Sequence, residues 1–214
     1  MKPGVIGVVL VALAVAGSAV AAEQTLVMSA EPRVVGFASG TQALTLTGRL
    51  TSGRQGETIE IEAKECGSDT WRLVATDRTI AGGGWHAGAV PTLRTTYRAR
   101  WRDTVSEAVD ILVRPGVRLD QRSRTRYSAT MIASRFFRGA KGRFERFDRA
   151  RGAWVLVRRV TLSRQSAPRG APWAYSGADF VARVPVRSLV RFVLPNDQTG
   201  ECYLAGHSIQ FNVR

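Results

Sequence analysis

Apolar and polar residues alternate from Thr58 to Ala63 (Thr-Ile-Glu-Ile-Glu-Ala), the period of a strand with one buried and one wet face. Cys66-Gly67-Ser68-Asp69 supplies turn residues, and Trp71-Arg72-Leu73-Val74-Ala75 opens a return strand. The same layout recurs from Gly139 to Leu162, and Gly56 to Trp71 spans fifteen positions, as does Gly139 to Trp154. The pattern predicts one hairpin plan used twice, with Trp71 and Trp154 as equivalent aromatic core anchors.

Around these hairpins the first half reads as seven short strands: Leu26 to Ala30, Ala43 to Leu50, Thr58 to Ala63, Trp71 to Thr76, Gly84 to Val90, Thr95 to Trp101 and Ala108 to Arg114. The second half repeats the order at Val117 to Leu119, Tyr127 to Ala133, Gly142 to Phe147, Trp154 to Leu162, Asp179 to Val184, Leu189 to Leu194 and Ser208 to Arg214. No amphipathic helix interrupts either series. Seven short strands in about 100 residues, with a turn every ten or so, are the mark of an immunoglobulin-like sandwich. The offset between copies is 83 at the tryptophans, 93 at Arg98 and Arg191, and 100 at Val113 and Val213. Two insertions, Ser163 to Ala178 and Pro195 to Ser208, account for the drift. Phe144 and Phe147 stand three apart, so that strand either exposes one of them or is bulged.

The stretches TLTGRLTSGRQGETIEIEAK, DTWRLVATDRTIAGGGW, TTYRARW and ILVRPGVRL resemble the tandem Ig-like (fibronectin-like) repeats of secreted surface proteins from high-GC bacteria. The resemblance covers Leu26 to Pro115 and thins in the second half, where Val190 takes the place of Tyr97. It implies a secreted, non-enzymatic spacer or binding module with no standard site. The expected fold is therefore all-β: two tandem seven-stranded Ig-like sandwiches, residues 23–114 and 115–214, stacked end to end after a signal peptide over 1–22. The signal reading rests on Lys2, an uncharged run from Pro3 to Ala22 and its small-residue exit. An uncleaved membrane helix is the alternative, the run being about the length that spans a bilayer. After cleavage no membrane span is expected, and the protein is expected to be a monomer, secreted or attached to the cell envelope.

Charge separates the halves. From Glu23 to Arg114, 11 Lys/Arg balance 11 Asp/Glu; from Pro115 to Arg214 there are 19 Lys/Arg and 6 Asp/Glu, a surplus of 13. With Lys2 this gives the chain's +14. Such a surplus attracts polyanions without reading their sequence, so the candidate polyanion-binding residues are Arg122, Arg124, Arg126, Arg135, Arg138, Lys141 and Arg143. Acidic cell-envelope polymers or another surface protein are the expected partners, with no specific nucleic acid; a solvated basic surface is the plain alternative. The long segment from Ser163 to Ala178 is a candidate binding loop through Arg164, Arg169, Trp173 and Tyr175, or else a cover for the junction.

Catalytic patterns are lacking. His86 and His207 have no ligand-pair spacing, no CxxC or G-x-S-x-G occurs, and Glu60 and Glu62 share one solvated strand face. A non-enzyme without cofactor or metal is expected. Cys66 and Cys202 are the only cysteines. In this strand order turns after odd strands fall at the trailing end of a sandwich and turns after even strands at the leading end. Cys66, after strand three of the first copy, and Cys202, after strand six of the second, then face each other across Arg114-Pro115-Gly116. In an exported chain this predicts a Cys66–Cys202 disulfide clamping the junction, against free thiols or an intermolecular bridge.

Overall fold

The computed structural model of the protein describes residues 24–37 and 43–214; the expected signal peptide over 1–22 lies outside the described residues. The described residues are all-β apart from one helical turn. The first sandwich comprises β1 (Leu26–Glu31), β2 (Val34–Gly36), β3 (Leu44–Leu50), β4 (Thr58–Glu65), β5 (Arg72–Arg78), β6 (Gly84–Ala89), β7 (Thr95–Trp101), β8 (Thr104–Val105) and β9 (Val109–Arg114). One sheet runs β1-β3-β6; the other runs β2-β9-β7-β4-β5, with the short β8 paired to β7. The second sandwich comprises β10 (Gly116–Gln121), β11 (Arg126–Ala133), β12 (Lys141–Asp148), β13 (Ala153–Thr161), β14 (Arg164–Ser166), β15 (Ala174–Val181), β16 (Leu189–Leu194), the turn α1 (Asn196–Thr199), β17 (Gly206–His207) and β18 (Phe211–Asn212). Its sheets run β10-β11-β15-β14 and β13-β12-β16-β17, and β18 also pairs with β16.

All seven expected strands of the first half are present. β2 is additional: it follows Pro32, leaves the β1 edge and pairs in parallel with β9, Val34 opposite Leu112. In the second half the fifth strand spans Ala174–Val181 rather than Asp179 to Val184, and the seventh reduces to the two-residue β17 and β18.

Alternation explains the first core. Leu44, Leu46 and Leu50 of β3 meet Ile59 and Ile61 of β4 and Tyr97, Ala99 and Trp101 of β7, all buried. The expected tryptophan anchors need correction. Trp85 and Trp101, 3% and 8% exposed, fill the first core, whereas Trp71 and Trp154 are only half-buried. The Trp85 ring lies so close over Gly48 that a Cβ there would stand 2.2 Å from it, so this position needs glycine. The second core is aromatic: Tyr127 and Phe144 lie 4.7 Å apart between ring centroids, Phe144 and Phe180 5.2 Å, and Phe180 and Phe192 6.1 Å.

Register proves the two plans equivalent. Glu60 pairs with Thr76 as Arg143 pairs with Arg159, and Glu62 pairs with Arg98 as Glu145 pairs with Arg191. Both hairpins slip by one residue at the same place, between Ile61 and Glu62 and between Phe144 and Glu145. The unpaired residue is Val74 on β5 and Val157 on β13, a bulge on the edge strand of each sheet. β12 itself keeps its alternation: Phe144 faces the core, and Phe147 reaches the outer face against Trp154 at 5.4 Å.

The junction is where the cysteines meet. Cys66 and Cys202 form a disulfide with Cα atoms 5.5 Å apart. Around it the chain crosses by backbone hydrogen bonds: Arg94 N donates to Cys202 O at 3.0 Å and Leu204 N to Val113 O at 2.9 Å. The Arg114 guanidinium donates to Ala205 O at 2.8 Å. The buried Tyr203 hydroxyl donates to Thr92 O at 2.7 Å and accepts from Ser134 N at 3.1 Å. Burial raises this phenol's pKa, which keeps the donor protonated. Gly116 completes the seam, since a Cβ there would fall 1.9 Å from Phe37 O.

Candidate binding surfaces

The outer face of each β5/β13-bearing sheet carries one constellation in two copies. Glu62 on β4 accepts from Arg98 Nε on β7 at 2.6 Å, and the Arg98 guanidinium lies 4.1 Å from the Trp71 ring centroid. In the second sandwich Glu145 accepts from Arg191 Nε at 2.8 Å, and Arg191 lies 4.1 Å from the Trp154 ring. The carboxylate orients the guanidinium, whose flat cation then covers the indole. Each glutamate has a second arginine. Arg100 stands 3.2 Å from Glu62 Oε1 without hydrogen-bond geometry, and Arg143 Nη2 stands 2.7 Å from Glu145 Oε1. The Glu145 side chain is 1% exposed against 13% for Glu62.

The seven candidate basic residues do not form one site. Arg122, Arg124 and Arg126 occupy the β10–β11 turn and the start of β11, at the end of the second sandwich away from the junction. Arg122 and Arg124 there join Arg187 and Arg214 around a cleft of about 890 Å³ floored by Val186 and Phe211. Arg135, Arg138, Lys141 and Arg143 lie toward the junction end. Arg135 is committed to structure: it donates to Thr199 O and lies 5.4 and 5.6 Å from the Phe137 and Tyr203 rings. Arg138 is exposed. Lys141 and Arg143 point along the outer face of β12, where Arg159, Leu156, Asp197 and Gln198 join them around a groove of about 500 Å³. Arg159, Leu156 and Arg187 were not singled out from sequence. The 83-residue offset could have found Arg159 and Leu156, which replace Thr76 and match Leu73.

The sixteen-residue binding loop does not exist as a loop. β14 pairs with β15 from Arg164–Gly177 to Ser166–Tyr175, which leaves only residues 167–173 as a turn. Arg164 donates to Ser128 Oγ at 3.0 Å and stands 3.3 Å from Asp179 Oδ2. Trp173 packs against the core, Tyr175 lies within β15 and Arg169 is exposed in the turn. Arg164 and Tyr175 line one shallow cleft of about 420 Å³ beside Thr130, but Arg169 and Trp173 do not line it, so the four do not make one site. Small residues at Ala174, Ser176, Gly177 and Ala178, buried on both faces, give that strand no alternation to read. Among the described residues no group of three or more His, Cys, Asp or Glu could hold a metal ion, and no helix is long and apolar enough to cross a membrane.

No family model matches the chain, and no curated protein matches it in sequence. Among solved structures it is similar to a tetra-tandem repeat from the extending region of a large adhesion protein, at 13% identity and TM-score 0.36 over 89% of this chain and 49% of that one. It is similar to red sea bream transglutaminase at 11% identity and TM-score 0.33, over 88% and 31%. A BSP domain of a biofilm-associated protein gives 11% identity and TM-score 0.27, over 88% and 29%. The chain thus spans about half of the first and about a third of the other two. Likenesses this distant assign it no activity or ligand.

Proposed function

We propose that the protein is a non-enzymatic extracellular module with a structural and binding role at the cell surface, in which two β-sandwiches are held in one fixed orientation. The observation that carries this reading is the junction: among the described residues one disulfide and five direct hydrogen bonds, two from backbone amides, cross it. The disulfide and the apolar leader expected over 1–22 support a place outside the cytoplasm. The bridged cysteines are 136 positions apart, and chain entropy gives such a bridge about 5 kcal/mol at most. Its stabilisation falls chiefly on the seam, because each sandwich closes its own sheets. X-ray scattering of the oxidised protein is expected to fit one arrangement of the two sandwiches. The double variant Cys66→Ser/Cys202→Ser is expected to spread over several while both sandwiches stay folded. A spread of orientations in the oxidised protein would sink the fixed-module reading.

A second reading is polyanion binding through the second sandwich. Only Arg118, Arg122, Arg143, Arg151, Arg164 and Arg191 of its 19 cations stand within 4 Å of a carboxylate. Of the other thirteen, Arg135 and Arg158 are taken up by the carbonyls of Thr199 and Val181, and the rest, unpaired with any carboxylate among the described residues, can meet an external anion. Retention on immobilised heparin that falls steeply with salt is the expected signature.

A further inference from the structure

We propose that the outer face of the β13-β12-β16 sheet is a binding site for an acidic polysaccharide, whose carboxylate or sulfate groups are met by Lys141, Arg143 and Arg159. This rests on the polyanion reading and gives it a place and a ligand class.

The two sandwiches supply the comparison. Register makes Thr58, Glu60, Thr76 and Arg100 the equivalents of Lys141, Arg143, Arg159 and Val193. The first set sums to zero charge and the second to +3. Everything beneath is kept: the glutamate, its arginine, the covered tryptophan, the edge bulge and the exposed leucine (Leu73, Leu156). A basic surplus spread by composition alone would scatter over the domain. Here three substitutions fall on adjacent outward positions of one rigid sheet.

The groove is also built to present them. Lys141 N donates to Gln198 Oε1 at 2.8 Å, which ties α1 to the strand as the groove's wall. Asp197 accepts from Gln198 at 3.2 Å and is the one rim carboxylate. Arg143 is held by the buried Glu145, while Lys141 and Arg159 make no ion pair among the described residues. Arg143, so fixed, loses little side-chain entropy on binding a charged chain, and Lys141 and Arg159 bring charge that no neighbouring carboxylate neutralises. Leu156, 44% exposed, offers an apolar floor between them. The arrangement disfavours single-stranded nucleic acid, which needs an open aromatic face for its bases. Trp154 has Arg191 over its ring and Phe147 against it.

The test is heparin binding by the full chain over a salt series, comparing Lys141→Gln/Arg159→Gln with Arg124→Gln/Arg187→Gln in the remote cleft. Both pairs remove the same charge from exposed positions. The groove pair is expected to weaken binding and lower the slope of log K against log salt by about two, one for each removed cation, while the cleft pair leaves the slope nearly unchanged. Equal losses from both pairs would overturn the groove as the site while leaving the polyanion reading intact. No salt-dependent binding by the unaltered protein would overturn that reading itself. Displacement of heparin by an oligothymidylate of equal charge at a lower concentration would make nucleic acid the ligand class and overturn the polysaccharide.

Discussion

The outer faces of the two sandwiches share a scaffold and differ at its rim. In each, a glutamate on the central strand orients an arginine over a tryptophan, and the edge strand beside it is bulged at the same residue. The first face surrounds this with Thr58, Glu60 and Thr76; the second surrounds it with Lys141, Arg143 and Arg159. Strand pairing and stacking fix the inner positions, because changing one orphans its partners. The rim positions change between the copies without disturbing that scaffold, Arg143 alone being also held by Glu145, so they are free to carry whatever a ligand requires. Internal comparison therefore separates structure from candidate function where a single copy cannot.

The cores extend the comparison. Ile59 and Ala99 of the first sandwich correspond to Gly142 and Phe192 of the second, so one copy places bulk on the central strand and the other on its neighbour. A Cβ on Gly142 would lie 2.1 Å from the Phe192 ring. Phe192→Ala is the most damaging single change expected here, at about 3–5 kcal/mol from lost burial and the cavity left behind. Gly142→Ile alone is also expected to destabilise, through overpacking. Their combination rebuilds the first sandwich's solution and should recover part of the loss, read as a positive coupling in a double-mutant cycle by denaturant unfolding. Purely additive losses would break the proposed equivalence of the two cores.

The two glutamates give a graded version of the same test. Glu145 is almost fully buried beneath Arg143 and Arg191, while Glu62 is partly wet and one of its arginines is misaligned. Glu145→Gln leaves two guanidinium groups facing a neutral amide, at an expected cost of about 3 kcal/mol, the lower end for breaking a buried pair because both arginines retain some water. Glu62→Gln should cost about 1 kcal/mol. Amide hydrogen exchange in β12 and β4 measures each locally. Equal costs would show that the burial difference does not govern these pairs.

Legibility in the sequence followed side-chain contrast. Wherever a strand set large apolar residues against polar ones, as in β3, β4, β7 and β9, its position was readable, and with turn parity so was the Cys66–Cys202 contact. β15 hides because its middle, Ser176-Gly177-Ala178, is small on both faces and breaks the alternation between Tyr175 and Phe180, and β14 and β2 are too short for a period. The tryptophans misled for a physical reason: Trp71 and Trp154 recur because an arginine covers each from a strand distant in sequence, and a local pattern cannot distinguish that from core burial. The basic residues were countable, but their division between a remote cleft and a sheet face depends on which end of the sandwich each turn reaches.

The smallest expected effect concerns acid stability, and it belongs to the first sandwich alone. Thr96 and Arg94 both hydrogen-bond the Asp110 carboxylate and hold its pKa below the usual carboxylate value, Thr96 contributing most. The equivalent positions in the second sandwich are Leu189, Arg187 and Asn212, with no carboxylate. A folded pKa below the unfolded one gives stability that is fully present above the unfolded value, near about 4. That stability is lost as pH falls through the lower folded value. Arg94 and Asp110 are 47% and 41% exposed, so solvent and salt reduce the effect. Asp110→Asn keeps an acceptor for Thr96 and removes the titration. Thermal unfolding followed from pH 5 downward at low salt should show a shallower acid limb in the variant, with the difference confined to amides of β7 and β9. An unchanged limb would place the acid sensitivity elsewhere, and a matching change in the second sandwich would mean that the junction transmits it.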